Sequence, residues 1–144
     1  MIVQKSKTFE ELSKRELYEI LKARAKIFVA EQHILYVDMD DKDYDSLHVF
    51  FEDEGKVVAY LRAFEEGRGI VRMGRVLTIE HGAGLGGRLL RFGIEEVEKK
   101  FNLEKISIDS QSHAIGFYEK AGFVVCSEEF LEEGVKHVKM ELSR

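Results

Sequence analysis

The sequence predicts an α+β fold, a mixed α/β layer in which a central, mostly antiparallel sheet has one parallel crossover and is flanked by helices. Three observations support this class. A long amphipathic helix comes early, an antiparallel meander of three strands follows it, and helices then alternate with the remaining strands. Short turns join antiparallel neighbours, whereas a helix that connects two strands of one sheet makes them parallel. We expect a single domain over residues 1–144.

The composition excludes several classes of protein. The chain has 144 residues, of which 44% are hydrophobic, and one ordinary core can hold a chain of this length. Its single cysteine forms neither an internal disulfide nor a CxxC zinc module, so we expect a reducing, cytoplasmic location. The apolar runs are too short to span a membrane, and the first residues lack a signal-peptide core. A net charge of −5 argues against nucleic-acid binding and favours small cationic partners.

The elements of the first half follow from local patterns. Residues 1–5 form a short edge strand, and Ser13 caps a helix because Glu16, three residues later, completes a capping box. Apolar residues recur at helical spacing over 14–31, which predicts one amphipathic helix. An acidic loop at 37–45 follows. The meander is predicted from strand-like runs joined by two short turns, at residues 47–52, 56–64 and 69–79.

The second half opens with a glycine-dense stretch that leads into a helix ending near Asn102. The later predicted segments are a strand at 105–110, a short helix at 114–121 closed by Gly122, and strands at 123–126 and 135–142, joined through an acidic segment with a turn near Gly134.

The glycines at the start of the second helix indicate a phosphate-binding turn. Unpaired main-chain N–H groups and the positive end of the helix dipole attract phosphate, and glycines allow its close approach. A merely tight connection is the structural alternative. The residues concerned are Gly82, Gly84, Gly86 and Gly87, with Arg88 adding a positive charge one residue into the helix.

The same stretch satisfies the dinucleotide fingerprint G-x-G-x-x-G, through Gly82, Gly84 and Gly87, with Asp109 about 20 residues further on. Three antiparallel strands precede the motif, however, and a single crossover follows it. A dinucleotide-binding domain begins with the motif and continues as a doubly wound sheet, so the pattern argues against that fold. A P-loop is excluded because no Gly-Lys-Ser/Thr follows the glycines.

Two motifs are similar to those of one enzyme family. Gly84 and Gly86 match (Gln/Arg)-x-x-Gly-x-(Gly/Ala), with His81 where Gln or Arg is usual. From Gln111 to Phe123 the chain is similar to Asn-x-x-Ala-x-x-x-Tyr-x-x-x-Gly-Phe, with Gln in place of Asn. Nearly the whole chain therefore resembles the GNAT superfamily of acyl-CoA-dependent N-acyltransferases. Within it the resemblance is closest to the ElaA-like branch, on Arg24, Phe28, Val29, Glu31, Gln32, His48, Gly74, Arg75, Val76, Gly134 and His137.

This resemblance implies a GNAT-like fold and an acetyl-CoA-dependent N-acetyltransferase, which transfers acetyl directly to a primary amine in a ternary complex without a metal. It implies that the main chain of Leu77 and Thr78 pairs with the pantetheine arm, and that the same region offers an N–H to the thioester oxygen. Tyr118 is implied as general acid toward the thiolate, with a core ring as the structural alternative. Further coenzyme A contacts are expected from Gly82, Ala83, Gly84, Leu85, Gly86, Gly87, Arg88 and Gln111.

The general base for the amine stays open among Glu31, His48 and His137. Glu31 lies seven residues after Arg24, which places both on the apolar face of the predicted helix, so an internal ion pair is the structural alternative. His48 alternates with apolar neighbours and points to the opposite face of its strand. Either histidine would deprotonate an ammonium directly or through water, although each is more often structural.

Other polar features have simpler interpretations. Carboxylates with the spacing of a calcium loop stand at Asp41, Asp43, Asp45 and Glu52. Ser46 occupies the position that needs glycine, so the loop is either a solvated segment or one that attracts a cationic acceptor. Cys126 lies in an apolar run and is expected in the core, which argues against a covalent route. Glu128 and Glu129 are further candidates for the base, with a solvated surface as the alternative.

Two alternatives to the enzyme hypothesis come from other classes. A non-catalytic acyl-CoA sensor would keep the fold without turnover, and the replacements at His81 and Gln111 leave room for it. A dinucleotide-binding oxidoreductase would bind NAD instead of coenzyme A. The expected partners are a small-molecule or peptide amine, with neither nucleic acid nor membrane. The resemblance also implies that edge strands often pair two copies into a homodimer.

Overall fold

The computed structural model describes residues 1–34, 37–80 and 84–144. Eight strands form one sheet in the order β1-β2-β3-β4-β5-β8-β6, and β7 also pairs with β8. The strands are β1 Ile2–Thr8, β2 Leu47–Asp53, β3 Lys56–Gly67, β4 Ile70–Thr78, β5 Lys105–Gln111, β6 Val124–Val125, β7 Phe130–Glu132 and β8 Val135–Ser143. The helices are α1 Lys14–Arg24, α2 Leu85–Lys100 and α3 Ile115–Glu119.

Every pairing in the described sheet is antiparallel except that of β4 with β5. The predicted α+β class with one parallel crossover is therefore confirmed. α1 packs on one face of the sheet, over a cluster that includes Phe50 and Tyr60, and α2 packs on the other face. A Cβ at Gly93 would lie 2.8 Å from Leu61 Cδ2, so the glycine lets α2 approach β3 closely.

The start of α1 confirms the predicted capping box. The Ser13 side chain accepts from the Glu16 main-chain N–H, and the Glu16 carboxylate accepts from the Ser13 N–H. The prediction of one α-helix over 14–31 is wrong from residue 25 onward, because Ala25–Glu31 is a π-helical segment. The N–H of Gln32 donates to Ile27 O at 2.9 Å, a bond that spans five residues. This wider turn needs more residues than the 3.6 per turn of an α-helix.

The C-terminal elements differ from the prediction in detail. The segment expected as one helix over 114–121 is a 3₁₀ turn, Ser112–Ala114, followed by α3. The acidic segment contains the unpredicted strand β7, which pairs with β8 through Phe130↔His137 and forms a hairpin around Gly134. No helix in the described parts of the chain is long and apolar enough to cross a membrane.

β4 carries the irregularity that opens the sheet. It pairs with β5 only over Ile70–Arg72, after which the two strands separate. On its other side the register with β3 shifts, so that two residues of β4, Arg75 and Val76, lie opposite Leu61 alone. This is a β-bulge, and Arg75 adopts the left-handed region with φ 53°.

Candidate active site

A cleft of about 610 Å³ lies where β4 and β5 separate. One wall comes from β3 and β4, and the other comes from β5, α3 and the β7–β8 hairpin. Parallel strands that separate leave one edge of each without main-chain partners, which makes such a gap a natural binding site. The lining includes Gln32, Asp40, Arg62, Glu65, Arg72, Gly74, Arg75, Val76, Asp109, Gln111, Tyr118, Glu132, Glu133 and His137.

The main chain at the end of β4 alternates between β3 and the cleft. Because the N–H of Ile79 donates to Val58 O at 2.9 Å, Ile79 faces β3, and Leu77, two residues earlier, faces the same way. Thr78 and Val76 therefore direct their main-chain groups away from β3, toward the separated edge. This orientation does not suit the expectation for Leu77, whose main-chain groups face Tyr60 on β3; Val76 and Thr78 are the residues whose main chain faces the separated edge.

The start of α2 adjoins this edge. Gly84 precedes the helix with φ 75°, and no side chain caps it within the described residues, so the first-turn N–H groups are available to a ligand. A Cβ at Gly86 would lie 3.3 Å from the Phe117 ring and 3.8 Å from Thr78 Cγ2, which shows how closely α2, α3 and β4 converge.

Other predicted cofactor residues have varied positions. Leu85 and Gly87 lie in the first turn of α2, whereas the Arg88 guanidinium lies over the Phe51 ring at 5.7 Å. Gln111 ends β5 and lines the cleft, where its Nε2 donates to Gln32 Oε1 at 3.1 Å. His81, Gly82 and Ala83 lie outside the described residues.

Tyr118 reaches the cleft from the α2 face of the sheet. Its ring packs edge-on against Phe117 and Phe123, and the residue is 8% exposed. Its hydroxyl forms no hydrogen bond with any described residue, although Tyr118 lines the cleft. Burial raises the pKa of the hydroxyl above its usual value, so the group stays protonated. The arrangement leaves the hydroxyl of a largely buried residue available to a ligand as a donor.

The three candidate bases are in different environments. Glu31 is exposed and lies outside the described cleft lining, which Gln32 joins instead. The wider π-helical turn explains this, because seven residues no longer return to the face of Arg24, which is fully buried. The predicted common face of Arg24 and Glu31 is therefore wrong.

His48 is fully buried and both ring nitrogens are bonded. Nε2 lies 2.9 Å from Asp43 O and Nδ1 lies 2.6 Å from the Tyr60 hydroxyl, so Nε2 donates and Nδ1 accepts. Burial is the main cause that lowers the pKa of the ring, which keeps it neutral. His48 does face away from its apolar neighbours as predicted, but it is a structural group without access to the described cleft lining.

His137 is 8% exposed and lines the cleft. Its Nδ1 lies 2.8 Å from Val135 O, and a carbonyl only accepts, so Nδ1 carries the proton in the neutral ring. Nε2 forms no hydrogen bond with any described residue, and Glu132 Oε2 lies 3.9 Å from it. The ring stacks on Phe130, with centroids 6.0 Å apart. His137 thus presents a lone pair to the cleft from a fixed ring.

An arginine–aspartate cluster beside the cleft was not foreseen. Arg24 donates from Nε to Asp38 Oδ2 at 2.8 Å and from Nη1 to Asp43 Oδ1 at 2.7 Å. Arg62 donates from Nη2 to Asp40 Oδ2 at 2.6 Å. Arg24 is therefore in an internal ion pair as expected, but with carboxylates of the acidic loop.

These contacts change the interpretation of the acidic loop at 37–45 for three of its carboxylates, those of Asp38, Asp40 and Asp43, whereas Asp41 and Asp45 are exposed, as a solvated loop predicts. Burial acts to raise the pKa of Asp43, but bonds from Arg24 and Arg62 outweigh it and lower that pKa. The bond from Arg62 is the main cause that lowers the pKa of Asp40. Carboxylates already neutralised by arginines exert little field on a distant ligand. Among the described residues no group of His, Cys, Asp and Glu is arranged to hold a metal.

The position of Cys126 also differs from the prediction. The residue is exposed rather than in the core, with its Sγ 3.5 Å from Lys139 O. It is absent from the described lining of the cleft, where a covalent carrier of an acyl group would have to lie.

The family is shown by comparison with known proteins. The model of the acetyltransferase (GNAT) domain matches residues 4–144. The chain therefore belongs to the GNAT acetyltransferase family, with an acyl-CoA N-acyltransferase fold. Its relatives include ElaA, which supports the ElaA-like branch, so the resemblance found in the sequence is confirmed.

Individual relatives match over nearly their whole length. A UPF0039 protein of Schizosaccharomyces pombe is 36% identical over 140 residues, which cover 94% of this chain and 93% of that protein. Protein ElaA of Escherichia coli is 30% identical over 136 residues, 90% of this chain and 89% of ElaA. The ElaA crystal structure superposes with a TM-score of 0.92 over 99% of this chain and 100% of that chain. An acyl-CoA N-acyltransferase from Pseudomonas aeruginosa gives a TM-score of 0.93 at 29% identity, over 99% of this chain and 100% of that chain.

Proposed function

We propose that this protein is an acetyl-CoA-dependent N-acetyltransferase that transfers the acetyl group directly to a primary amine while both substrates are bound. One observation carries the proposal: the edge of β4 left unpaired beyond Arg72 runs to the uncapped start of α2. The unpaired edge suits the amide groups of a pantetheine arm, and the helix start suits a pyrophosphate.

The residues at this place fit coenzyme A. A Cβ at Gly84 would meet no heavy atom within 4 Å, so the open space in front of α2 is room that a phosphate can fill. The main chain of Thr78 and Val76 supplies donors and acceptors at the spacing of one more strand. Val76 and Arg75 form the bulge of β4, and a main-chain N–H of this bulge would donate to the thioester oxygen.

Two side chains would serve in proton transfer, one at the ammonium of the acceptor and one at the leaving thiolate. Bound acetyl-CoA supplies an activated thioester, so that a C–N bond forms as the C–S bond breaks. His137 Nε2 accepts the proton that the ammonium must lose, because its lone pair faces the cleft. Tyr118 donates a hydrogen bond to the leaving sulfur. Since its pKa lies above about 8.5, the reference value of a thiol, it stabilises the thiolate mainly as a donor and gives up the proton only late.

Thermal unfolding with acetyl-CoA, coenzyme A and NAD tests the proposal. A ligand that binds only the folded state raises its stability by about 2.7 kcal/mol at 100 times Kd, which a melt resolves. We expect a shift with acetyl-CoA and none with NAD, followed by amine-dependent release of thiol. A shift without thiol release from any amine would favour the non-catalytic acyl-CoA sensor, and a shift with NAD alone would refute the coenzyme assignment.

The proposal includes a cytoplasmic location and a homodimer. An exposed thiol such as that of Cys126 persists in a reducing compartment. The described sheet ends in the edge strands β1 and β6, and strands of this kind can pair with another copy. Light scattering on the purified protein would give the mass, with a monomer refuting the dimer.

A further inference from the structure

Three side-chain atoms in the middle of the sheet are buried without a hydrogen-bond partner. Within the described ranges these atoms are Arg62 Nε, Ser107 Oγ and Asp109 Oδ1. Arg62 is on β3 and the other two residues are on β5, so the strands on both sides of β4 contribute them. A buried donor or acceptor without a partner is unfavourable, and such atoms are few in folded proteins, so their concentration beside the cleft calls for an explanation.

The strand registers place Arg62 and Asp109 on either side of Gly74. Arg62 pairs with Gly74 across β3 and β4. On the other side of β4, Ser107 of β5 pairs with Arg72. Two residues further along these parallel strands, where they have separated, Asp109 is level with Gly74.

The same three residues share one face of the sheet. Residues next to them in sequence pack in the core cluster with α2, namely Leu61, Met73 and Ile108. Because side chains alternate along a strand, Arg62, Gly74 and Asp109 belong to the opposite face. His137 is on that face too, since it pairs with Gln111, two residues beyond Asp109.

The space over Gly74 is open. A Cβ at this position would meet no other part of the described chain within 4 Å, and Arg62, Gly74 and Asp109 all line the cleft. Neighbouring strands are about 4.8 Å apart, so the main chains of Arg62 and Asp109 are roughly 10 Å or more apart, with only a glycine between them. A group that bridges this span needs its acceptor and its donor on different atoms, which a carboxamide has and a single hydroxyl lacks.

Ion pairs already neutralise both residues. Arg62 donates from Nη1 and Nη2 to Asp40 and from Nη1 to Asp43, whereas its Nε has no partner among the described residues. Asp109 Oδ2 accepts from Arg72, which leaves Oδ1. A carboxylate on the ligand would offer no donor to Asp109, and an ammonium would offer no acceptor to Arg62. A neutral carboxamide satisfies both atoms.

We propose that the acceptor is a primary amine next to a carboxamide, as in an amino-acid amide or the first residue of a peptide. Its carbonyl oxygen accepts from Arg62 Nε, and its amide N–H donates to Asp109 Oδ1. Gly74 directly precedes the bulge at Arg75 and Val76, so an amine on the carbon next to the amide lies beside that bulge, where the thioester is expected. This inference rests on the proposed function and names its substrate class.

The test compares glycinamide, isobutylamine and glycine, which have the same number of non-hydrogen atoms. Thiol release from acetyl-CoA is measured with each, and kcat/KM is expressed per unprotonated amine because the three amines differ in basicity. We expect kcat/KM for glycinamide to exceed that for isobutylamine about tenfold or more, since only the amide satisfies both buried atoms. Glycine should be the poorest acceptor, because its carboxylate would lie against Asp109.

A fourth acceptor, glycylglycinamide, distinguishes the two sources of this chemistry. If it is used better than glycinamide, the site takes the first residue of a peptide. If glycinamide is used better, the site takes a free amino-acid amide. Either order supports the proposal as long as both exceed isobutylamine.

Asp109→Asn tests the contact with the amide N–H. Because the asparagine oxygen stays with Arg72, its NH₂ group would replace the acceptor Oδ1. The preference for glycinamide over isobutylamine should be lost through a higher KM for glycinamide, with the KM for acetyl-CoA unchanged. Glu98→Gln is the matched control and should keep the preference, because it removes a carboxylate 2.6 Å from Arg144, outside the described cleft lining.

Gly74→Ala tests the position of the amide without disturbing an ion pair. The added methyl group has room in the fold but occupies the space over the glycine, so Tm should be unchanged and the KM for glycinamide should rise. This variant keeps the proposal testable if Asp109→Asn does not fold.

Each contrary result has its own meaning. Equal kcat/KM for glycinamide and isobutylamine in the wild type would overturn the inference and leave the acetyltransferase intact, since water alone would then serve the buried atoms. The same loss of preference in Glu98→Gln, or an unchanged KM for glycinamide in Gly74→Ala, would overturn it too. No thiol release with any of these amines, while acetyl-CoA still raises Tm, would contradict the proposed function and with it the substrate class.

Discussion

Asp38 fixes Arg75 at the bulge of β4: Arg75 Nε donates to Asp38 Oδ1 at 2.9 Å, and its Nη2 donates to Asp38 O at 3.0 Å. Arg75 has φ 53°, a backbone conformation that costs a non-glycine residue about 1–2 kcal/mol. The other carboxylate oxygen of Asp38 accepts from the buried Arg24. The acidic loop thus holds the strained residue of the bulge, three residues beyond Arg72, where the pairing of β4 with β5 ends.

Asp38→Asn should loosen the bulge. An amide cannot accept from both arginines, since its NH₂ would face one of them, and the N–H groups near Arg75 would lose their alignment. We expect kcat/KM for acetyl transfer to fall by about tenfold or more, with a Tm decrease that reflects one broken charged bond. Asp45→Asn, at an exposed position of the same loop, is the matched control. Equal kinetics for the two variants would show that Asp38 has no part in shaping the site.

Tyr118→Phe tests whether the Tyr118 hydroxyl acts in catalysis without contributing to the stability of the fold. The hydroxyl has no hydrogen-bond partner among the described residues, so its removal should leave Tm and acetyl-CoA affinity nearly unchanged. The loss of a positioned donor should lower kcat by about 10²-fold. Tyr18→Phe, at a side chain that is 66% exposed, is the control. A wild-type rate in Tyr118→Phe would assign the role to water or to another residue.

The local features of the sequence predict local structure well. The capping box of Ser13 and Glu16 depends on residues three apart, and the alternation at His48 depends on its strand alone. The parallel crossover follows from the order of elements, since a helix must carry the chain from β4 to β5. Glycines at the start of α2 also lie where the spacing predicts, as far as the described Gly84, Gly86 and Gly87 extend.

The site was less predictable because its groups meet through tertiary structure. Arg75 and Asp38 are 37 residues apart, and no short-range pattern relates them. The left-handed conformation at Arg75 lacks the glycine that usually marks such a position. The π-helical segment Ala25–Glu31 has a sequence that suits an α-helix equally well, so Glu31 was expected on the wrong face. Acidic residues at 37–45 suggested a solvated loop, because their arginine partners come from three separate elements.

His137→Gln should lower mainly kcat, whereas His48→Gln should lower mainly the stability of the fold. The first removes the lone pair facing the cleft and should lower kcat by about 10²-fold with little change in Tm. His48→Gln breaks two buried hydrogen bonds and should cost about 1–3 kcal/mol of stability. Measurements of kcat and of urea unfolding for both variants would detect a reversal of these two roles.

Gly84→Val tests the turn before α2. The position has φ 75° and open space around a Cβ, so valine adds both backbone strain and bulk where a phosphate would lie. Gly134→Val is a matched control, because Gly134 has φ 76° and equally open space but lies in the β7–β8 turn. We expect the free energy of unfolding to fall by a similar amount, about 1–2 kcal/mol, in both variants. The affinity for acetyl-CoA should fall in Gly84→Val alone. Unchanged affinity, measured by calorimetry, would remove this turn from the binding site.

Glu16 should make the fold sensitive to acid. Burial acts to raise its pKa, but hydrogen bonds from Lys5, the Ser13 main chain and Lys7 outweigh it and lower the pKa from 4.5 to about 2. A carboxyl whose folded pKa is depressed contributes its stability above the unfolded value, and that contribution is lost as pH falls through the folded value. The wild type should therefore lose about 2–3 kcal/mol more than Glu16→Gln between pH 5 and pH 2. The exposed Glu10→Gln is the control. Denaturant unfolding at several pH values between 5 and 2 measures this difference. Parallel curves of stability against pH for the wild type and Glu16→Gln would mean that the bonds from Lys5 and Lys7 to Glu16 do not persist in solution.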